Sequence, residues 1–373
     1  MTALVALLPA VPLPAPDPLG FPAMPVLLQG LAYLTFTLHL LAMNFTVGGA
    51  ALLLIARLRR DQPSIGFWAT ALPLGFSYLV TLGIPPLLFV QVLYGQLFYT
   101  SSVLIGGFWI LVIPLLITAY ALLYTHKLTG ESRPRFQTVL VAVALLAMLF
   151  IGFIYVNNLT LLQTPERWLA KYAAHPGGMT LNLEEPTHGP RYLFFILPAF
   201  AVAGLAFMLR GAYLSRWGHA EEGQRARRLG FVSVVVGAVG VSIGAAGLLA
   251  TFPAHIRIFV LGGGLPTGLL AAAAVAAAVG LVLAFAARKA QGLLPIFAAI
   301  LTFAAGLACV VVLRDLVRGA YLAPFFHLRD VPVNVQYGML AIFGTSLVAG
   351  LGLLIVLLVK VARPIAAKHV VVR

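Results

Sequence analysis

Residues 35–53 read TFTLHLLAMNFTVGGAALL, an apolar run with one histidine, His39, near its centre and Asn44 about a turn and a half further on. An ionisable side chain is expensive in hydrocarbon, so inside a membrane segment its first reading is functional. A neutral imidazole offers one nitrogen lone pair to a metal and is a good axial ligand for haem iron. The alternative is a structural ring, hydrogen-bonded to a neighbouring helix. Met43 stands one turn below His39 on the same helical face. Both would have to reach one iron from the same helix, so Met43 is read as packing.

Other residues could share such a site. With a single cysteine, Cys309, no iron–sulfur or zinc-finger ligand set exists, and no C-x-x-C-H run is present to attach haem covalently. A redox cofactor would be held non-covalently. His188 stands three residues before Arg191, and His327 is followed by Arg329. Each pair offers a ligand and a cation for haem propionates. His126, His175, His219, His255 and His369 read as surface residues. The run LGIPPLLFVQVLYGQLFYTSS carries Pro85 and Pro86, which should break its hydrogen-bond ladder near mid-membrane. Gln91, Tyr94, Gln96 and Tyr99 follow, so this stretch is either a simple kink or the wall of a pocket for a quinone or a haem edge. The run YVNNLTLLQTPERW puts Asn157 and Asn158 at a similar depth. The candidate cofactor-binding set is therefore His39, as ligand to haem iron, with His188, Arg191, Gln91, Asn157 and Asn158. No catalytic residue stands out.

The elements that must position these residues follow from composition. The chain has 373 residues, 61% hydrophobic and 9% charged, with mean hydropathy +1.02. About 20 apolar residues cross a bilayer, and only helices or closed barrels satisfy the backbone there. The runs are too long and too uniformly apolar for barrel strands, so the fold class is an all-α polytopic membrane protein. Nine transmembrane helices are expected, near 26–56, 67–98, 103–125, 136–161, 191–215, 229–252, 264–287, 292–313 and 337–361. With the N-terminus outside and the C-terminus inside, seventeen of the 24 basic residues fall on the inner side and every inner loop is basic. The net charge of +14 is thus explained by topology and not by nucleic acid.

The expected organisation is an extramembrane segment (1–25), a four-helix redox-like half (26–161), an outer loop (162–190), a five-helix half (191–361) and a cytoplasmic tail (362–373). The outer loop contains PERWLAKYAA, which reads as a short interfacial helix. Residues 314–336, RDLVRGAYLAPFFHLRDVPVNVQ, read similarly. The bulky soluble-facing surface is outside, where a partner such as a c-type cytochrome would dock. All ten acidic residues are placed in loops or tails, which argues against a proton pump working through buried carboxylates. Glycines 230, 237, 240, 244 and 247 in the sixth span and the alanines of the seventh are expected to pack those two helices together.

The motifs LHLLAMNFTVGG, LGIPPLLFVQVLYGQLFYTSS and YVNNLTLLQTP resemble the first, second and fourth spans of subunit I of the cytochrome bd quinol oxidases. The resemblance covers about residues 28–170. It implies nine spans, an outside N-terminus, an inside C-terminus in the plasma membrane of a bacterium, and His39 as a haem b ligand. Where that family has glutamates near its haems, this chain has Val90 and Gln91, then Gly106 and Gly107. Its fifth span, RYLFFILPAF, has only His188 nearby, and TFPAHIRIFVLGGGLP replaces a long quinol-binding loop. The expected function is a respiratory electron-transfer subunit, binding haem b, quinone or both, and exchanging electrons with an outer-face cytochrome without reducing dioxygen. A cofactor-free membrane anchor and a small-molecule transporter are the alternatives.

Overall fold

In the computed structural model, which describes residues 13–130, 133–290 and 292–370, the chain forms twelve helices. They are α1 (Pro25–Arg59), α2 (Gln62–Leu104), α3 (Gly106–Leu128), α4 (Pro134–Leu162), α5 (Trp168–Ala174), α6 (His188–Ile196), α7 (Pro198–Arg216), α8 (Ala220–Thr251), α9 (Ala254–Leu261), α10 (Gly264–Ala287), α11 (Leu294–Leu322) and α12 (Tyr337–Val370). Among the described residues, eight helical stretches are long and apolar enough to cross a membrane, with α6 and α7 counted together. Within α12, the stretch Tyr337–Gly350 is a further apolar helical segment. The protein is therefore an all-α, multi-pass membrane protein. The first twelve residues of the N-terminal segment and Arg373 lie outside the described residues.

The glycines after His39 explain how α1 sits at the centre. A side chain at Gly48 would meet the Ala199 carbonyl of α7 at 2.0 Å, and one at Gly49 would meet the Trp68 ring of α2 at 2.6 Å. Without side chains there, α1 is wedged between α2 and α7, as close helix packing in membranes requires. One half of the bundle is filled by Leu53, Trp68, Leu72 and Phe76 with Phe207, and the other by Leu93, Leu97, Ile105, Ile154 and Leu161.

Three expectations are corrected here. Pro85 and Pro86 keep helical angles, and the kink of α2 lies two turns later, at the non-helical Tyr94 (φ −133°, ψ 29°), while Pro86 lines the cavity described below. Each proline removes a ladder bond without leaving helical angles. The glycine stripe of α8 faces α6 and α7 instead of α10. Side chains at Gly230 and Gly237 would strike the Gly204 carbonyl at 2.6 Å and the Ala201 amide at 2.3 Å. The small residues of α10 meet α11, where Gly280 lies under Phe303. Finally, residues 314–322 extend α11 and are not an interfacial loop. That extension carries Asp315 into the bundle, so not all acidic residues lie in loops.

The expected short helix of the outer loop is present as α5. Trp168 points inward and donates from Nε1 to the Leu161 carbonyl (2.8 Å), while Leu169 and Tyr172 face out. The segment before α1 is tied to the segment before α12, through Phe21 N to Pro332 O (2.8 Å) and Asn334 N to Phe21 O (2.9 Å).

Candidate functional site

A cavity of about 550 Å³ lies between α1, α2, α3, α4, α6 and α11. Such a volume suits a cofactor-sized ligand. α1 contributes Tyr33, Phe36, His39 and Met43, which recur at three- and four-residue spacing and so share one face. The walls are aliphatic and aromatic, and charge is confined to Arg314, Asp315 and Arg318 of α11.

His39 is half-buried, and its Nδ1 lies 3.2 Å from the Leu79 carbonyl of α2. A carbonyl only accepts, so Nδ1 donates, and the neutral ring keeps its lone pair on Nε2. A backbone carbonyl on the second ring nitrogen is the usual support of a metal-ligating histidine. The ring packs on Gly83, where a Cβ would stand 3.0 Å from its Cε1. A side chain at 83 would press on the imidazole, which would have to give by a few tenths of an ångström. Phe36 stacks beside His39, with ring centres 6.2 Å apart.

The charged end is built around Asp315. Its carboxylate accepts from Tyr33 Oη (2.7 Å), Gln29 Nε2 (3.1 Å), Tyr94 Oη (3.2 Å) and Arg318 Nη1 (3.0 Å), joining α1, α2 and α11. Arg318 also lies over the Tyr94 ring, 4.6 Å from its centre. Arg314 stands 4.6 Å from the centre of Phe36, and its buried Nε has no hydrogen-bond partner among the described residues. Two guanidiniums thus share one carboxylate at the cavity wall. An uncompensated buried cation is costly, and a ligand carrying an acidic group would relieve it. Phe36 touches both ends, so the Arg314 guanidinium carbon is within about 11 Å of the His39 ring centre.

Of the residues expected from sequence, His39 and Asn158 line the cavity, whereas Gln91, Asn157, His188 and Arg191 do not. Asn158 is committed to α2: it accepts from Ser101 Oγ and donates to Ser102 Oγ, both at 2.7 Å. Asn157 donates to His188 Nε2 (2.8 Å) and accepts from the Asn182 amide (2.6 Å). His188 thereby spends on Asn157 the lone pair a second haem ligand would need. Arg191 is buried beside it and donates to Thr187 Oγ1 (3.4 Å). Gln91 falls on the part of α2 between Val80 and Val92, where no residue is buried.

Sequence reasoning missed Tyr33, Gly83, Arg314, Asp315 and Arg318. The signal was in ACVVVLRDLVRG, where charges at i, i+1 and i+4 continue an apolar helical run. That spacing places Arg314 and Arg318 on one helical face and Asp315 within reach of Arg318.

The cavity presents an oriented imidazole nitrogen at one end, an apolar and partly aromatic body, and a charged end. No protein-family model matches the chain, and no curated protein matches it.

Proposed function

We propose that this chain is an integral-membrane subunit of a respiratory electron-transfer complex, holding haem b on His39 and passing electrons between the quinone pool and a c-type cytochrome at the outer face. The observation that carries this reading is the His39 imidazole, lining the cavity with Nδ1 bound to the Leu79 carbonyl and Nε2 left with its lone pair. Haem b, when bound, supplies a one-electron carrier. His39 would hold it through Nε2, Leu79 would fix the tautomer, and Gly83 leaves room for the ring. Arg314, with its unpartnered Nε, and Arg318 would meet the propionates. The apolar walls exclude water and keep those charge contacts strong.

The resemblance of the first, second and fourth spans to subunit I of the cytochrome bd oxidases supports the same reading. So does the positive-inside distribution, which favours nine spans, an outside N-terminus and an inside C-terminus in a bacterial plasma membrane. With no second histidine at the cavity, dioxygen reduction is not part of the proposal. The transporter alternative drew on a break at Pro85–Pro86, whereas the non-helical residue of α2 is Tyr94.

The test is a reduced-minus-oxidised visible spectrum of the purified chain with a pyridine haemochrome count. A b-type signal that disappears in His39→Ala, with the variant still inserted in the membrane, is the expected result. Full haem occupancy in His39→Ala, or a flat spectrum of the haem-supplemented wild type, overturns it.

A further inference from the structure

The cavity is not closed on all sides. Val80 and Ile84 of α2 and Ile110 and Ile113 of α3 line it, and they are 38%, 52%, 71% and 64% exposed, more than half for three of the four. The stretch of α2 between Val80 and Val92 has no buried residue, so it forms a thin wall. Each of these two neighbouring helices thus presents the same side chains to the cavity and to the surroundings. In a membrane protein, the surroundings of four branched aliphatic side chains in apolar spanning helices are lipid. The cavity therefore communicates with the bilayer through a slot between α2 and α3.

The slot carries no polar side chain. A permanently charged headgroup would be stripped of water in passing, at large cost, whereas an uncharged ring on a hydrocarbon tail would pass freely. Behind the slot stand Trp109 of α3 and Tyr155 of α4, ring centres 5.0 Å apart, and both line the cavity. Neither the Trp109 indole N–H nor the Tyr155 hydroxyl makes a hydrogen bond with any described residue. Trp109 is half-buried and Tyr155 is 39% exposed, so both donors are open to a molecule in the cavity. Phe98 packs edge-on against Trp109 at 5.6 Å, so this part of the cavity is aromatic. Two donors with no partner among the described residues, in an aromatic part of the cavity beside an apolar slot, suit an uncharged ring with oxygen substituents and an isoprenoid tail.

We propose that the α2–α3 slot is a lateral entrance for an isoprenoid quinone, whose ring oxygens accept from Trp109 Nε1 and Tyr155 Oη while its tail lies past Ile84, Ile110 and Ile113. This rests on the reading of the chain as a quinone-linked redox subunit. It places the quinone at membrane depth on the α3–α4 side, apart from the Arg314–Asp315–Arg318 end.

The full-length protein in lipid nanodiscs is labelled with a photoreactive azidoquinone carrying an isoprenoid tail, and the attachment sites are mapped by peptide mass spectrometry. Haem is counted in the same samples. Labelling is expected on α3 and α4 around Trp109 and Tyr155 and should be displaced by excess unlabelled quinone. The double variant Trp109→Phe/Tyr155→Phe keeps the rings but removes both donors, and should weaken competition by about tenfold or more, as for two lost hydrogen bonds. Ile113→Trp, which narrows the slot, should lower the labelling rate. Label spread over lipid-facing helices and indifferent to competitor overturns the proposal, as does a double variant that binds like wild type. Competed labelling at Trp109 and Tyr155 without haem supports the quinone site while removing the haem reading; haem without such labelling does the reverse.

Discussion

Asp315 is where the structure makes its most quantitative demand. Four donors converge on this carboxylate, and beside it Arg314 lines the cavity with no ion pair to any described residue. Asp315→Asn keeps the shape but turns one of two acceptor atoms into a donor facing donors, and it leaves Arg318 without its anion. Removing one partner of a buried ion pair typically costs about 3–5 kcal/mol, most of it the penalty of the stranded charge. At about 2 °C per kcal/mol, the low end for larger chains, the unfolding midpoint should fall by at least about 6 °C. The assay is thermal unfolding of the purified protein in one fixed detergent and scan rate, followed by tryptophan fluorescence. The double variant Asp315→Asn/Arg318→Gln removes the stranded charge along with its partner and should recover at least half of the loss. A single variant within about 1 °C of wild type, or a double variant no better than the single, would refute the assignment of Asp315 as counterion and hub.

Other consequences are simpler to state. Gly83→Val would place branched carbon where a Cβ already stands 3.0 Å from the His39 ring, and should lower haem content measured by pyridine haemochrome; His188→Ala, whose Nε2 is taken by Asn157, should leave haem content unchanged. Gly230→Leu would drive a side chain into the Gly204 carbonyl 2.6 Å from its Cβ and should separate α8 from α7, with a loss of folded protein on size-exclusion chromatography beyond that of a lipid-facing control such as Val236→Leu. At Glu184, burial would raise the carboxyl pKa, but the hydrogen bond and charge of Lys171 outweigh it and hold the group below its ordinary 4.5. A depressed pKa stabilises the fold above pH 4.5 and the contribution fades as pH falls through the lowered value. The side chain is 60% exposed, so Glu184→Gln should cost less than about 1 kcal/mol at pH 7, with the difference from wild type vanishing in strong acid.

How far the sequence could be read depends on which interactions decide each feature. The membrane class and the helices follow from hydropathy alone, because a backbone in hydrocarbon must bond to itself and a long apolar run leaves it one way to do so. His39 was legible for a related reason: a lone ionisable group in such a run violates the local pattern and invites a functional explanation.

What only the tertiary structure decided concerns partners. Asp315 reads as a loop residue because charge ends an apolar run; it stays in the helix because Tyr33, Gln29 and Tyr94, over 200 residues away in sequence, deliver donors that replace water. His188 reads as a ligand from its neighbour Arg191, and is instead satisfied by Asn157 across α4 and α6. The glycines of α8 fix that some backbone comes close, while the matching small residues Gly204 and Ala201 determine that it is α7. Hydropathy is a property of each segment and is written in the segment. Charge compensation, hydrogen-bond satisfaction and the shape of a cavity are properties of pairs, and become definite only once the helices have met.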